Sequence, residues 1–549
     1  MSPKKVSWSR WRPLIQLLSL GAFLFFLLSR AVWPAGESLW PPDLYLRLDP
    51  LAALGAPLAA RDWIGRLLPG LILIAASLFV GRIFCGYLCP FGATLDLWSA
   101  VRRRLSGPSP ARLKAAWRRP KYLLLIVVLG AALLGVNLLY WAAPIPLITR
   151  FYALILHPLF SSLGGFILTQ GGGLLEALGL SALTYSNFSP RGFDSLFFLI
   201  FFFGIVLVLE WRWPRFWCRV LCPAGALLAL ASSRPLWRRR VAGCLACGRC
   251  VRACPTAAIS ADGRGCQSGE CLACQSCVDI CPVSAVSFRP GKKENRPEAE
   301  KGGEETGPFR PVSRRAFLGS AALGLALGGF HRRGPALLMG AGQAGTLVRP
   351  PGSLPEAEFL VRCLRCGECL KACPSNALAA SSLGSGLASL FSPYLLARRG
   401  PCQPECRRCG QLCPSQAILS LPLEEKRWAK MGTAVVLRET CLAWAENRRC
   451  VVCQEVCPYG ALDLVQEAGR EAPTPVVRAE RCYGCGYCEH HCPVPRPAIV
   501  IGPEGALRLA SPDYRREALA RALDLDPESR AREADLPEGG LPPGFLDLD

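Results

Sequence analysis

The stretch CLACGRCVRACP, residues 244–255, decides how the rest of the chain is read. Its cysteines, Cys244, Cys247, Cys250 and Cys254, follow C-x2-C-x2-C-x3-C-P. Three thiolates in one tight loop can each take a different iron corner of a cubane. The fourth, three residues on and followed by proline, points away and can ligate a neighbouring cubane. The same spacing returns at Cys271, Cys274, Cys277 and Cys281, at Cys363, Cys366, Cys369 and Cys373, and at Cys482, Cys485, Cys488 and Cys492. Two further quartets differ only in their opening. Cys402, Cys406, Cys409 and Cys413 begin with x3, and Cys441, Cys450, Cys453 and Cys457 with x8. Six quartets thus absorb 24 of the 29 cysteines.

The spacing predicts six 4Fe–4S sites. One is expected from Cys244, Cys247 and Cys250 with Cys281, and its neighbour from Cys271, Cys274 and Cys277 with Cys254. For the four later quartets, sequential and nested pairing fit the spacing equally. After the terminal Cys-Pro come TAAI, VSAV, SNAL, SQAI and YGAL. That repeat predicts a small alanine close to the cluster and an apolar residue opening a strand. Zinc sites usually use two separated pairs of ligands, not triple-cysteine loops with a trailing Cys-Pro. Disulfides suit an exported domain, yet the spacing recurs on both expected sides of the chain.

Composition points to a membrane. Half of the 549 residues are hydrophobic and the mean hydropathy is positive. Apolar runs at 14–32, 67–84, 122–141 and 195–211 each approach the ~20 residues that cross a ~30 Å hydrocarbon core. The net charge of +22 first suggests nucleic acid. The basic residues, however, gather beside the apolar runs and around the cysteines, and no base-reading motif accompanies them. Lys4, Lys5, Arg10 and Arg12 precede the first run, Arg102–Arg104 and Arg118–Lys121 follow the second, and Arg212, Arg215, Arg219 and Arg238–Arg240 follow the fourth. By the positive-inside rule these segments face the cytoplasm. The stretch 144–192 is apolar but broken by Pro and Gly, compatible with an interfacial or a re-entrant segment.

SRRAFLGSAALG at 313–324 has the pattern of a twin-arginine export signal. No clean A-x-A site follows, so a cleaved signal and a fifth anchor both fit, and either sends the next residues outward. The expected organisation is a membrane domain at 1–235, a cytoplasmic two-cluster domain at 236–286 and a disordered linker at 287–312. A signal or anchor follows at 313–345, then an exported four-cluster domain at 346–502 and an acidic tail at 503–549. The fold class is mixed: polytopic α-helix joined to α+β iron–sulfur domains.

Two further pairs, Cys85/Cys89 in FCGYLCPFGA and Cys218/Cys222 in WCRVLCPAGA, end the second and fourth runs. They read either as structural cysteines or as a redox or metal site near the cytoplasmic clusters. Cys266 has no assigned role. There is no C-x-x-C-H, hence no c-type haem. The histidines, His157, His331, His490 and His491, do not form the facing pairs a b-haem needs. His157 alone reads as structural more readily than as a quinol contact. GAGQAG at 340–345 lacks the strand and helix of a nucleotide site.

The two C-x3-C-P segments followed by two quartets resemble the NapH/MauN type of membrane polyferredoxin over about 10–285. The arginine-led segment followed by four quartets resembles the NapG/MauM type of exported ferredoxin over about 313–500. The chain therefore looks like a fusion of the two. The x3 and x8 openings depart from the regular motif and leave Cys402 and Cys441 less certain as ligands. The resemblance implies a bacterial inner-membrane protein of quinol dehydrogenase type, passing electrons from the quinone pool to a periplasmic reductase or cytochrome. Its MauM/MauN side implies the alternative of a maturation or activation factor for a periplasmic cofactor enzyme. Arg249, Arg252, Arg362, Arg365, Arg407, Arg408, Arg448, Arg449 and Arg481 lie in or beside the cluster loops. Positive charge there favours the reduced state and is expected to raise potentials.

Overall fold

The computed structural model describes residues 9–32, 41–107, 115–177, 196–233, 235–290, 313–338 and 347–526. Most of the expected linker, the GAGQAG run and the last residues of the tail lie outside the described residues.

The four expected apolar runs form the helices Arg12–Val32, Leu68–Val80, Arg119–Leu133 and Leu196–Arg212. Two are shorter than their runs because glycines in the left-handed region end them: Gly81 (φ +86°) after the second and Gly135 (φ +77°) after the third. Among the described residues, one helix, Pro144–Phe166, is both long and apolar enough to cross a membrane, with shorter apolar helices at Arg12–Leu28, Pro50–Ala60 and Gly65–Val80. That long helix falls in the stretch expected to be broken. Pro144 and Pro146 occupy its first turns, where their missing N–H groups are no loss. Pro158 follows a π-turn at Tyr152–Leu156, a local widening of the kind that accommodates a residue without an N–H.

The bundle is apolar outside as well as inside. Leu18, Phe197 and Val208 are 65%, 81% and 69% exposed, and Phe25, Ile72, Phe79 and Phe201 lie open beside them. Its interior, with Phe23, Leu51, Tyr140 and Leu154, is continuous with Leu364, Leu370 and Phe391 of the later cysteine-rich domain.

The arginine-led segment is a helix, Arg314–Leu338, packed along Arg119–Leu133. Gly324 makes this possible, since a Cβ there would stand 2.7 Å from the Val127 carbonyl oxygen. Gly324 lies against residues 127 and 130 and Gly328 against 131 and 134, so the two helices run parallel.

Each cysteine-rich unit is closed by short antiparallel pairs. β1 (Trp237–Val241) pairs with β2 (Val286–Pro290), β3 (Leu378–Ala380) with β4 (Pro393–Leu395), β5 (Thr433–Val436) with β8 (Ile499–Gly502), and β6 (Leu462–Val465) with β7 (Thr474–Val477). Two expected boundaries are corrected. Residues 287–290 belong to β2 and not to a linker, because they complete the ladder with residues 237–240. Residues 503–526 are not a loose tail: Tyr514 is fully buried and Arg508 pairs with Glu356 at 2.8 Å.

The two cysteine-rich domains sit at opposite ends of the bundle. At one end Glu270 of the first domain receives Arg82 (2.8 Å), Lys121 (2.7 Å) and the Tyr122 hydroxyl (2.6 Å), and Arg118 donates to the Thr256 carbonyl (3.1 Å). At the other end Asn137 donates to the carbonyls of Val361 (2.7 Å) and Cys363 (3.2 Å), Arg150 to Arg365 (2.8 Å) and Arg66 to Cys413 (3.1 Å). Lys371 there donates to the Leu27 carbonyl. The helix Arg12–Val32 spans from one end to the other, with Arg12 bonded to Asp96 and Leu27 under Lys371.

Candidate iron–sulfur sites

The regular cysteine loops share one backbone device. The residue before the second cysteine is left-handed in all four: Ala246, Ala273, Arg365 and Gly484. So is the residue after it: Gly248, Gln275, Gly367 and Gly486. Two left-handed residues flanking a cysteine curl the chain so that three Sγ atoms face one space. The x3 loop has no left-handed residue between its first three cysteines, and the x8 loop reaches its second cysteine through left-handed Asn447.

The Cys-Pro end has its own device. The third residue after the cysteine is left-handed in five quartets, at Ala257, Ser284, Asn376, Gln416 and Gly460. The next N–H then turns back onto sulfur. Ala258, Ala285, Ala377 and Ala461 donate to Cys254, Cys281, Cys373 and Cys457 at 3.2, 3.3, 3.2 and 3.4 Å. This is why alanine recurs there: a small residue lets its backbone approach the thiol. The following apolar residue opens a strand at Val286, Leu378 and Leu462.

These devices gather the thiols around five apolar cavities. Each is ringed by three cysteines of one quartet and the Cys-Pro cysteine of another. The sets are Cys244, Cys247, Cys250 and Cys281; Cys363, Cys366, Cys369 and Cys413; Cys402, Cys406, Cys409 and Cys373; Cys441, Cys450, Cys453 and Cys492; and Cys482, Cys485, Cys488 and Cys457. Of the remaining set, Cys277 interacts electrostatically with Cys271 and Cys274, and Cys254 with Cys274. Pairing in the later domain is therefore sequential and not nested, and Cys402 and Cys441 join rings despite their irregular openings. Among the described residues, no three His, Cys, Asp or Glu side chains close on a single ion; the thiols stand apart around a space. Burial pushes the Cys363 thiol up, and the Cys409 and Cys485 thiols well above their usual range. Without metal they are protonated, so cluster assembly must release protons.

The arginines near the loops divide sharply. Arg249, Arg252, Arg407, Arg448 and Arg449 are exposed, and Arg362 and Arg481 are tied to Asp62 and Asp524. Arg365 alone among them is buried. It donates to the Ala388 carbonyl at 2.7 Å and lies 3.7 Å over the Tyr140 ring. Arg408 lines the Cys402 cavity. One such residue escaped the sequence reading: Arg239, on β1, places Nη2 3.7 Å from Cys250 Sγ. Tyr459 and Tyr483, each beside a ligand position, stack with centroids 4.9 Å apart. Cys266 bridges Ile259 across a β-bridge, with its thiol against Cys271. His157 follows the π-turn, and His490 and His491 bond backbone carbonyls beside Cys488 and Cys492.

Known proteins carry the same pattern. A family model described as a 4Fe-4S binding domain matches residues 62–108 and 195–243, and models described as 4Fe-4S dicluster domains match 243–285, 448–495 and 270–378. The last span joins quartets that the structure separates to opposite ends. The ferredoxin-type protein NapG of Escherichia coli is 38% identical over 204 residues, covering 36% of this chain and 84% of NapG. The methylamine utilization ferredoxin-type protein MauM of Paracoccus denitrificans is 37% identical over 218 residues, covering 38% of this chain and 94% of MauM. The chain belongs to the NapG/MauM group of ferredoxin-type proteins. As such it is an iron–sulfur electron-transfer protein. NapG of Haemophilus influenzae, 34% identical over 206 residues, belongs to the same group. No solved structure matches this NapG/MauM-type chain.

Proposed function

We propose that this protein is a membrane-spanning relay that takes electrons from quinol and delivers them through six 4Fe–4S clusters to an acceptor on the other face, a periplasmic reductase or cytochrome. The observation that carries this reading is the docking of cysteine-rich domains at both ends of one bundle with an apolar exterior. Exposed Leu18, Phe197 and Val208 suit lipid and not water. The arginine-rich end carries the first domain, as the positive-inside rule asks of a cytoplasmic face. The parallel packing of Arg314–Leu338 on Arg119–Leu133 supports an arginine-led helix that stays as an anchor and sets the second domain outside.

A bound cubane would accept and return one electron at a time. The chain's own residues hold each thiol ring, exclude water with apolar walls and supply backbone N–H groups to the Cys-Pro sulfurs. Quinol oxidation yields quinone, two electrons and two protons, so two single-electron transfers drain each quinol. The test is anaerobic protein in vesicles given menaquinol. Cluster reduction seen by EPR is the expected result, and clusters that stay oxidised would count against the direction proposed. The likeness to methylamine utilization ferredoxin-type proteins keeps a second reading open, a redox factor for the maturation or activation of a periplasmic cofactor enzyme. It predicts that quinol leaves the clusters oxidised while a partner enzyme is activated.

A further inference from the structure

The two C-x3-C-P segments are halves of one repeat. Arg82, Cys85, Cys89, Pro90 and Gly92 match Arg215, Cys218, Cys222, Pro223 and Gly225 in the pattern R-x2-C-x3-C-P-x-G. Each half folds alike: a π-turn (Phe84–Leu88 or Trp217–Leu221), an extended cysteine, then a helix opened by proline. Gly225 donates its N–H to Cys222 Sγ at 3.2 Å, and Gly92 holds the equivalent position after Cys89, where an added Cβ would stand 3.8 Å from the Cys89 Cβ.

The arginines cross between halves. Arg215 donates to the Cys85 carbonyl at 3.2 Å, beside Gly92. Arg82 reaches Gly225 so closely that a Cβ there would meet its Nη2 at 2.8 Å, and Cys222 Sγ at 3.5 Å. Both arginines are 1% exposed, and the Arg82 Nε, buried, has no hydrogen-bond partner. Cys89 is in electrostatic contact with Cys85, Cys218 and Cys222. Each half alone offers two thiols; together they offer the four that an iron–sulfur cluster requires.

We propose that Cys85, Cys89, Cys218 and Cys222 jointly hold one additional iron–sulfur cluster, placed between the two ferredoxin domains. On one side, Gly86 lies between the first two cysteines. A Cβ there would be 3.1 Å from the Leu272 carbonyl oxygen, and Tyr87 donates to the Ala273 carbonyl at 3.3 Å, both within the Cys271–Cys274 loop. On the other side a run of aromatic rings begins beside the thiols. Phe91 meets Trp217 (5.4 Å), Trp217 meets Phe202 (6.0 Å), Phe202 meets Trp141 (6.5 Å) and Trp141 meets Phe391 (5.9 Å). Phe391 lines the cavity ringed by Cys363, Cys366, Cys369 and Cys413. The centre would take one electron from the cytoplasmic clusters and give one to the outer ones. This transfer rests on the relay reading; the presence of the centre does not.

The test compares anaerobically purified full-length protein with a Cys85→Ser/Cys218→Ser variant, by iron and acid-labile sulfide content and Mössbauer spectra. Six ferredoxin cubanes account for about 24 irons. The wild type is expected to exceed the variant by about two irons for a 2Fe–2S centre or about four for a 4Fe–4S centre, with the ferredoxin signals unchanged. Equal iron and identical spectra would overturn the proposal. If the variant does not accumulate, Mössbauer deconvolution of the wild type decides: a component beyond the ferredoxin cubanes supports the extra centre, and its absence overturns it. An iron difference with no reduction by menaquinol would sink the relay and leave this centre standing.

Discussion

Arg365 concentrates at one residue what the sequence spread over nine. It is left-handed between two ligand positions, buried, and held by Tyr140 and the Ala388 carbonyl. Local positive charge and hydrogen bonding set cluster potential. Arg365→Gln is therefore expected to lower the potential of the Cys363 site by tens of millivolts, while Arg449→Gln, exposed, leaves its site nearly unchanged. EPR-monitored redox titration of both variants checks this, and equal shifts would remove burial as the cause. Arg239 is the counterpart that spacing could not reveal. It lies on a strand, and only the pairing of β1 with β2 carries it to Cys250. Motif reading finds ligands because they recur in fixed local loops. A charge such as Arg239 arrives from outside the loop, and burial, as at Arg365, is not written in the motif.

Among elements, the helix pair Arg119–Leu133 and Arg314–Leu338 offers the sharpest test. Gly324→Val drives a side chain into the Val127 carbonyl, an overpacking worth about 1–3 kcal/mol. Gly319, with nothing within 4 Å of its would-be Cβ, is expected to accept valine without loss. Thermal unfolding in detergent should separate the two variants, and equal behaviour would mean the helices do not depend on this contact. Tyr514→Ala is expected to destabilise the later domain by roughly 3 kcal/mol, as for loss of a buried aromatic. It would show in urea unfolding. The sequence placed the helices well but not their ends, since Gly81 and Gly135 stop helices inside runs whose hydropathy continues. Residues 503–526 misled for a similar reason. The acidic, Pro- and Gly-rich composition of 503–549 as a whole says nothing of Tyr514 finding a pocket or Arg508 finding Glu356.

At the scale of the whole molecule, Glu270 fastens the first ferredoxin domain to the bundle. Burial alone would raise its carboxyl, yet Lys121 and Arg82 win and hold it at about 2, against an ordinary 4.5. Because the folded value is depressed, the contribution is complete above about pH 5 and is lost as the pH falls from 4.5 through 2. Protease protection of the first domain should follow the same window. Glu270→Ala strands two buried cations and is expected to cost about 3–5 kcal/mol, loosening the domain at neutral pH. A variant as protected as wild type would refute the fastening role. Charge and the arginine motif lead to the expectation of two cysteine-rich domains on opposite sides of the apolar segments. The contacts that fix the domains to the bundle are not legible in the sequence, because each joins residues far apart in the chain.

Lys371 on the Leu27 carbonyl, Asn137 on Val361 and Cys363, and Arg66 on Cys413 have a kinetic meaning. Separate carriers must meet by diffusion, and their exchange slows with dilution, viscosity or added salt. In the proposed relay both cysteine-rich modules are held on one bundle, so exchange between them would be unimolecular. Its rate should stay constant when the protein is diluted or the solvent thickened with glycerol.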